Sequence, residues 1–296
     1  MTDRIIDISI DPARLHVRHE QLVIEVAEKP EATVPLTEIA ALVVSNPRVS
    51  YSHTSLSGLM KAGGVVVVCD EKHLPVGMML PLSAHFVQAE RFEAQATASA
   101  PVKKRLWQQI VTAKVSNQGR LLSELRGNDK GLQEMAKRVK SGDVDNIEAQ
   151  ASRRYWPALF ADEKFRRDRE GEDQNRMLNY GYAVLRAIVA RAVCGAGLHP
   201  SLGVHHHNRY DAFCLADDLM EPFRPLVDRA VVKLVDARGK ECPMDKECKA
   251  GLIGPLTERV EVEGESRTIF DAAARAASSL AQVFMGKGEK LIIPDV

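Results

Sequence analysis

The chain changes texture near His85, and that change limits the fold more than any other feature of its 296 residues. Before it stand short β-branched or alternating runs at Ile5 to Ile10, Leu15 to Val17 and Leu22 to Val26, punctuated by Asp11-Pro12 and His19-Glu20-Gln21. They predict an antiparallel meander. After it come long stretches without strand alternation, rich in the helix formers Ala, Gln, Glu, Arg and Leu. The expected class is therefore α+β: a small N-terminal β-rich domain over residues 1–84, then a larger, mostly α-helical domain over residues 85–296.

Finer signals fill in both parts. A start at Pro35 leads into the apolar Ile39 to Val44, and Ser52 to Met60 offers a short helix with its own capping hydroxyls. Val65 to Val68 reads as a buried strand, with Val76 to Leu80 returning beside it. Helices are predicted over Lys104 to Val115 and over Met177 to Val193, the second ended by Gly195, Gly197 and Pro200. Another runs from Asp217 toward Val232, with Pro222 and Pro225 in its first turns or kinking it. The last, Ile269 to Met285, is opened by Thr268 and Asp271 and closed by Gly286, beyond which Gly286 to Lys290 is expected to be mobile.

The 40 Lys and Arg cancel the 40 Asp and Glu, so any anion-binding surface has to be local. No apolar run approaches the roughly 20 residues needed to cross a bilayer, and the opening residues lack a signal-peptide core, so a cytoplasmic protein with no membrane partner is expected. Three of the five cysteines are isolated in apolar company, which argues against a disulfide framework. Cys242 and Cys248 lack zinc-ribbon spacing and read as the ends of a charged surface loop.

The phosphate loop, dinucleotide fingerprint, nucleophile elbow and zincin helix are all missing from the sequence. What remains is a set of metal-ligand residue types. His205, His206 and His207 follow the breaker pair His199-Pro200, and one or two of them are candidate ligands. Asp218 and Glu221 are spaced i and i+3, which on a helix places both carboxylates on one face, able to serve one cation. Acids in a first helical turn are also favoured by the helix dipole, but the apolar company of Phe213, Leu215, Leu219, Met220 and Phe223 demands a partner for them. Glu148 shares a predicted helix with Arg153 and Arg154, and is either an ordinary salt-bridge member or a catalytic group. Carboxylates with an imidazole suit Mn²⁺ or Mg²⁺ on a phosphodiester.

Basic residues supply the complementary surface. Lys103, Lys104, Arg105, Lys114, Arg120 and Arg126 punctuate one helical stretch; Arg153, Arg154, Lys164, Arg166, Arg167 and Arg169 crowd another near Tyr155 and Trp156. The second cluster either follows a phosphate backbone or pairs with Asp162, Glu163, Asp168 and Glu170 on a solvated face.

Four ordered stretches then carry a resemblance: Glu148 to Trp156, Leu178 to Arg186, Gly197 to His206, and Leu215 to Pro225. Together they resemble the CRISPR-associated adaptation integrase, the first-numbered Cas protein, and Leu42 to Ser45 with Gly63 to Asp70 resembles that family's β-domain. The short length and the stretch from Arg91 to Gln118 most resemble members encoded beside single-effector, RNA-guided nuclease systems, the type II arrangement.

The resemblance implies a divalent-metal site, Mg²⁺ or Mn²⁺, made by a glutamate, a histidine and a second acid. Glu148 matches the first. The family places its histidine three after a glycine, so Gly203 points to His206, with His205 the alternative in the triple run. The second acid falls within the pair Asp218 and Glu221, with Glu221 taken as the ligand and Asp218 as an auxiliary group. The implied activity is endonuclease and integrase chemistry: a 3′-hydroxyl of a short DNA duplex attacks a phosphodiester at the edge of a CRISPR repeat. The implied partners are double-stranded DNA as prespacer and as repeat target, a second copy of the chain through the β-domain, and a dimer of the small second-numbered Cas protein. In members of this group the effector nuclease takes part in target choice.

Overall fold

The computed structural model describes residues 3–70, 75–81 and 85–296. Eight strands and one helix come first: β1 (Arg4–Ile8), β2 (Ala13–Arg18), β3 (Gln21–Val26), β4 (Ala32–Pro35), β5 (Ile39–Val44), β6 (Ser50–Tyr51), α1 (His53–Lys61), β7 (Val65–Cys69) and β8 (Pro75–Met79). A helical part follows with α2 (Gln88–Ala96), α3 (Ala100–Arg126), α4 (Leu132–Lys137), α5 (Ile147–Leu159), α6 (Gln174–Gly195), α7 (Cys214–Met220), α8 (Arg224–Arg238) and α9 (Lys246–Ile253). A hairpin of β9 (Arg259–Val262) and β10 (Glu265–Thr268) leads into α10 (Ile269–Phe284). The α+β class is thus observed, strands first and helices after. The boundary expected after residue 84 falls beside residues 82–84, outside the described residues.

The first three strands do not make one meander. β2 and β3 form the expected hairpin, turning at His19 and Glu20, both at positive φ, and β4 continues it antiparallel. β1 instead pairs parallel with β5, in a second sheet ordered β1-β5-β7-β8. The period of two explains the choice: residues facing opposite sides of a strand enter different cores. Ile5 packs toward the helical core, while Ile6 and Ile8 join the core shared with the first sheet. Likewise Ala41, Val43, Val65 and Val67 face the helices, and Leu42, Val44 and Val66 face the strands. A strand covered on both faces is stable in a parallel sheet. The second sheet is the middle layer of the molecule, packed on α6.

Local signals hold where they were local. Ser52 Oγ accepts from Ser55 N–H at the start of α1, and Thr268 Oγ1 accepts from Asp271 N–H at the start of α10. The helix expected from Asp217 begins earlier, at Cys214, and Pro222 tightens it into a 3₁₀ turn over Glu221–Phe223 before α8 resumes. Residues after Gly286 are tied down rather than loose: Gln109 donates to Glu289 C=O at 3.0 Å and accepts from Leu291 N–H at 2.8 Å. All five cysteines are free. The loop between Cys242 and Cys248 is indeed charged and exposed, but both thiols are buried at its ends. No helix among the described residues is long and apolar enough to cross a membrane.

Candidate active site

Glu148 opens α5. The start of that helix is shaped by Asp143, whose carboxylate accepts from Ile147 N–H at 2.8 Å and Glu148 N–H at 3.0 Å, supplying the caps that Asn146 does not. α3 packs against both α5 and the Glu221 turn. From it Lys114 reaches between two acids, its Nζ 2.7 Å from Glu148 Oε1 and 2.7 Å from Glu221 Oε2. Arg224, one turn along from Glu221, brings its Nε within 3.0 Å of the same Oε2. Both cations are close, yet no donor is aligned for a hydrogen bond to that oxygen. Burial pushes the Glu221 carboxyl up, but Arg224 and Lys114 outweigh it and hold it below the ordinary carboxylate value. Burial alone would lower the Lys114 ammonium; Glu221 and Glu148 raise it on balance.

The histidine loop is organised by Asp218, whose side chain is fully buried on α7. Its Oδ2 accepts from the backbone N–H groups of Val204 at 2.7 Å and His205 at 2.8 Å, and its Oδ1 from that of His206 at 3.3 Å. A run of backbone donors converging on one carboxylate gives a buried anion its partners without a cation. Asp218 Oδ1 also contacts His206 Nδ1, which puts the proton of the neutral ring there and leaves Nε2 as its unprotonated nitrogen. That hydrogen bond raises the His206 pKa against burial, with the charges of Glu221 and Glu148 adding to it. Gly203 makes the fold of the loop possible: a Cβ there would lie 2.3 Å from His206 C=O and 3.1 Å from Asp218 Oδ2. His205 lies against Trp107, and burial lowers its pKa.

The neighbouring acid Asp217 is bound to Arg186 in bidentate fashion, at 2.6 and 2.7 Å, and takes no part in this cluster. Glu148, Glu221, Asp218 and His206 are thus brought into one neighbourhood. As they stand, however, no three His, Cys, Asp or Glu side chains among the described residues are grouped to hold a metal ion. Lys114 occupies the space between two of them.

The basic cluster divides. Arg153, Arg154, Lys164 and Arg166 are exposed. Arg167 is directed inward, donating to Asn175 Oδ1 at 2.9 Å and to Asn179 Oδ1, with its guanidinium over the Tyr182 ring. Its surroundings are those of a structural residue rather than a free phosphate ligand. Among the described residues none of the five pairs with a carboxylate, so the salt-bridged face open as an alternative is not formed. Lys114, placed by its sequence neighbours in a basic surface stretch, is buried instead, and Arg224 has no site role in the sequence reading. The signal for Lys114 was its spacing, four after Ile110 and three after Val111, on the apolar face of α3.

Solved structures share this fold. A casposase bound to integration product superposes with a TM-score of 0.80 at 20% identity, covering 98% of this chain and 92% of its own. A CAS1 protein from Thermotoga maritima gives 0.78 at 18% identity, covering 98% of this chain and 99% of its own. The architecture is therefore the fold that these structures share. The sequence comparisons are narrower. The CRISPR-associated endonuclease Cas1 of Neisseria meningitidis serogroup C (strain 8013) is 36% identical over 287 residues, 96% of this chain and 93% of the relative. A Cas1 endonuclease of Pyrobaculum aerophilum is 29% identical over 76% of this chain and 80% of its own. The family described as CRISPR associated protein Cas1 matches residues 8–246, and the chain belongs to that family.

Proposed function

We propose that this protein is a divalent-metal-dependent DNA integrase and endonuclease of CRISPR adaptation, acting in the cytoplasm. One observation carries the reading: Glu148 and Glu221, from separate elements, converge on a single cationic group, beside a histidine whose Nε2 is left free. The donor set fits a hard or borderline divalent ion. Two carboxylates and one imidazole suit Mg²⁺ or Mn²⁺, and Glu221 Oε2 is a buried oxygen with no aligned donor. Glu148, His206 and Glu221 would hold the ion, which when bound supplies Lewis-acid polarisation of a phosphodiester.

The chain's own residues do the rest. Asp218 holds His206 in one tautomer and orientation. Arg224 keeps Glu221 ionised at the wall of the site. The exposed Arg153, Arg154, Lys164 and Arg166 offer phosphate contacts that align the duplex. In the reaction the 3′-hydroxyl of a captured duplex forms a new bond to a phosphorus at the repeat edge. The bond from that phosphorus to the adjoining 3′-oxygen breaks, and the proton passes from the attacking to the departing oxygen. Attack by water on the same phosphorus gives the endonuclease activity.

The partners are double-stranded DNA, a second copy of this chain through its β-rich region, a small Cas2 dimer, and an effector nuclease for target choice. Support for the Cas2 partnership comes from a shared fold with the structure named Cas6-RT-Cas1–Cas2 complex, at a TM-score of 0.76 and 17% identity. The deciding experiment supplies a duplex with free 3′-hydroxyls, a plasmid bearing a CRISPR repeat, Mn²⁺ or Mg²⁺, and Cas2, alongside Glu221→Ala. Joining at the repeat edge that requires the metal and Glu221 is the expected result. Cutting without joining would replace the integrase reading with a repair nuclease.

A further inference from the structure

The two acids proposed as ligands have no helical spacing in common. Glu148 stands in the first turn of α5 and Glu221 on the 3₁₀ turn before α8. What joins them is Lys114, with its Nζ 2.7 Å from each and its side chain 10% exposed. A buried ammonium between two carboxylates does part of what a divalent ion does: it supplies charge at the shared space. It does not supply coordination. Its hydrogen bond is aligned with Glu148, while Glu221 Oε2 is near two cations and aligned with neither.

The numbers of charges point the same way. Two carboxylates face Lys114 and Arg224, so the charges of these four groups already cancel without a metal. A divalent ion entering beside the ammonium would meet a like charge in a poorly solvated space, where such repulsion is strong. Ion and ammonium therefore contend for the same oxygens.

We propose that Lys114 is a positioning residue that serves as the internal counter-ion of Glu148 and Glu221 in the metal-free protein and competes with the divalent cation for them. It keeps the two acids from repelling one another and, by occupying their shared space, lowers the affinity of the site for metal. The inference rests on the metal reading given above. It predicts a sign that a purely supporting lysine does not: removing Lys114 should destabilise the metal-free protein and strengthen metal binding.

The test is calorimetric titration of Mn²⁺ into the DNA-free full chain, wild type and Lys114→Met, with thermal unfolding of each measured without metal and with it. The expected result is a lower melting temperature for metal-free Lys114→Met, Mn²⁺ affinity about tenfold tighter, and a larger stabilisation by Mn²⁺. Binding by Lys114→Met alone also supports competition. Wild-type affinity equal to or greater than that of Lys114→Met overturns the role of Lys114 and leaves the metal site intact. If neither protein binds Mn²⁺, the metal reading itself fails and takes this inference with it. Should Lys114→Met not fold, Lys114→Gln, which keeps a donor for Glu148, is held to the same ordering.

Discussion

The imidazole of His205 lies flat on the indole of Trp107, with ring centroids 4.2 Å apart and planes within 4° of parallel. The next residue, His206, stands edge-on to the same indole at 5.7 Å and turns its Nδ1 to Asp218. Two adjacent histidines thus have different occupations, one packed and one held by a carboxylate. The ambiguity of a triple-histidine run is a matter of register, and Trp107 and Asp218 give each ring its own environment.

His206→Ala is expected to lower strand transfer about a hundredfold or more, while His205→Ala keeps most of it and loses on the order of 1 kcal/mol of stability with its stacking contact. Transfer rates and chemical denaturation of both variants check this. The reverse pattern in the rates would make His205 the ligand.

Asp218→Asn is expected to weaken Mn²⁺ binding about 10- to 100-fold through His206, because an amide NH₂ replaces one carboxylate oxygen and faces either the ring N–H or the backbone N–H groups of the loop, which disturbs the orientation of the ring. Gly203→Ala is expected to cost about 1–3 kcal/mol, because its methyl group would press on the His206 carbonyl. Unfolding curves together with Mn²⁺ titrations test both; an undisturbed Gly203→Ala would mean that the loop has room to yield.

Glu148→Ala and Glu221→Ala should each abolish joining while duplex binding is retained, since neither acid has a reason to hold DNA. Glu221→Ala should also be the less stable of the two. It leaves Arg224 and Lys114 buried around a missing charge, a loss on the order of 3 kcal/mol, whereas Glu148 is the more exposed acid. A stable Glu221→Ala protein with full joining activity would remove that residue from the site.

Changing Arg153 and Arg154 together should weaken duplex binding and reduce the slope of log K against log salt by about 2. Arg167→Ala should instead lower the melting temperature, because Asn175, Asn179 and the Tyr182 ring lose their common partner. Affinity measured over a salt series separates the two cases; an unchanged slope would exclude Arg153 and Arg154 from the DNA contact.

Asp228 supplies a pH dependence. Burial raises its carboxyl from 3.8 to about 6, against the hydroxyls of Tyr155 and Tyr182 and the cations Arg224 and Arg167. A carboxyl with a raised folded pKa contributes stability that is present below its unfolded value and lost as pH climbs through the folded one. Between about pH 4 and 7 the wild type should therefore lose on the order of 2 kcal/mol relative to Asp228→Asn. Parallel stability curves for the two proteins across that range would refute the assignment.

Helix ends marked by neighbouring residues were legible in the sequence, as Thr268, Asp271 and Gly286 show for α10. Their hydrogen bonds close within one turn. Strand partnership was not legible: β1, with Ile5, Ile6 and Ile8, is as short and apolar as its neighbours in sequence, and only the cores on its two sides send it to β5. The acids and the histidine could be named singly, and the family resemblance grouped them. The role of Lys114 was hidden because a lysine in a basic stretch is ordinarily a solvated one. Its i+4 spacing from Ile110 points inward, but the acids it meets come from distant parts of the chain.

Tyr155 O–H donates to Asp228 at 2.6 Å. Each of these residues lies seven positions beyond a proposed ligand, Tyr155 after Glu148 and Asp228 after Glu221, or roughly 10 Å farther along the same stretch of chain. The lower contact is a gauge for the upper one: a slide of α5 relative to the start of α8 that changed the gap between the acids would also have to break the Tyr155–Asp228 hydrogen bond. Variants that retune that gap are accordingly to be sought at the gauge, among residues that touch neither DNA nor metal.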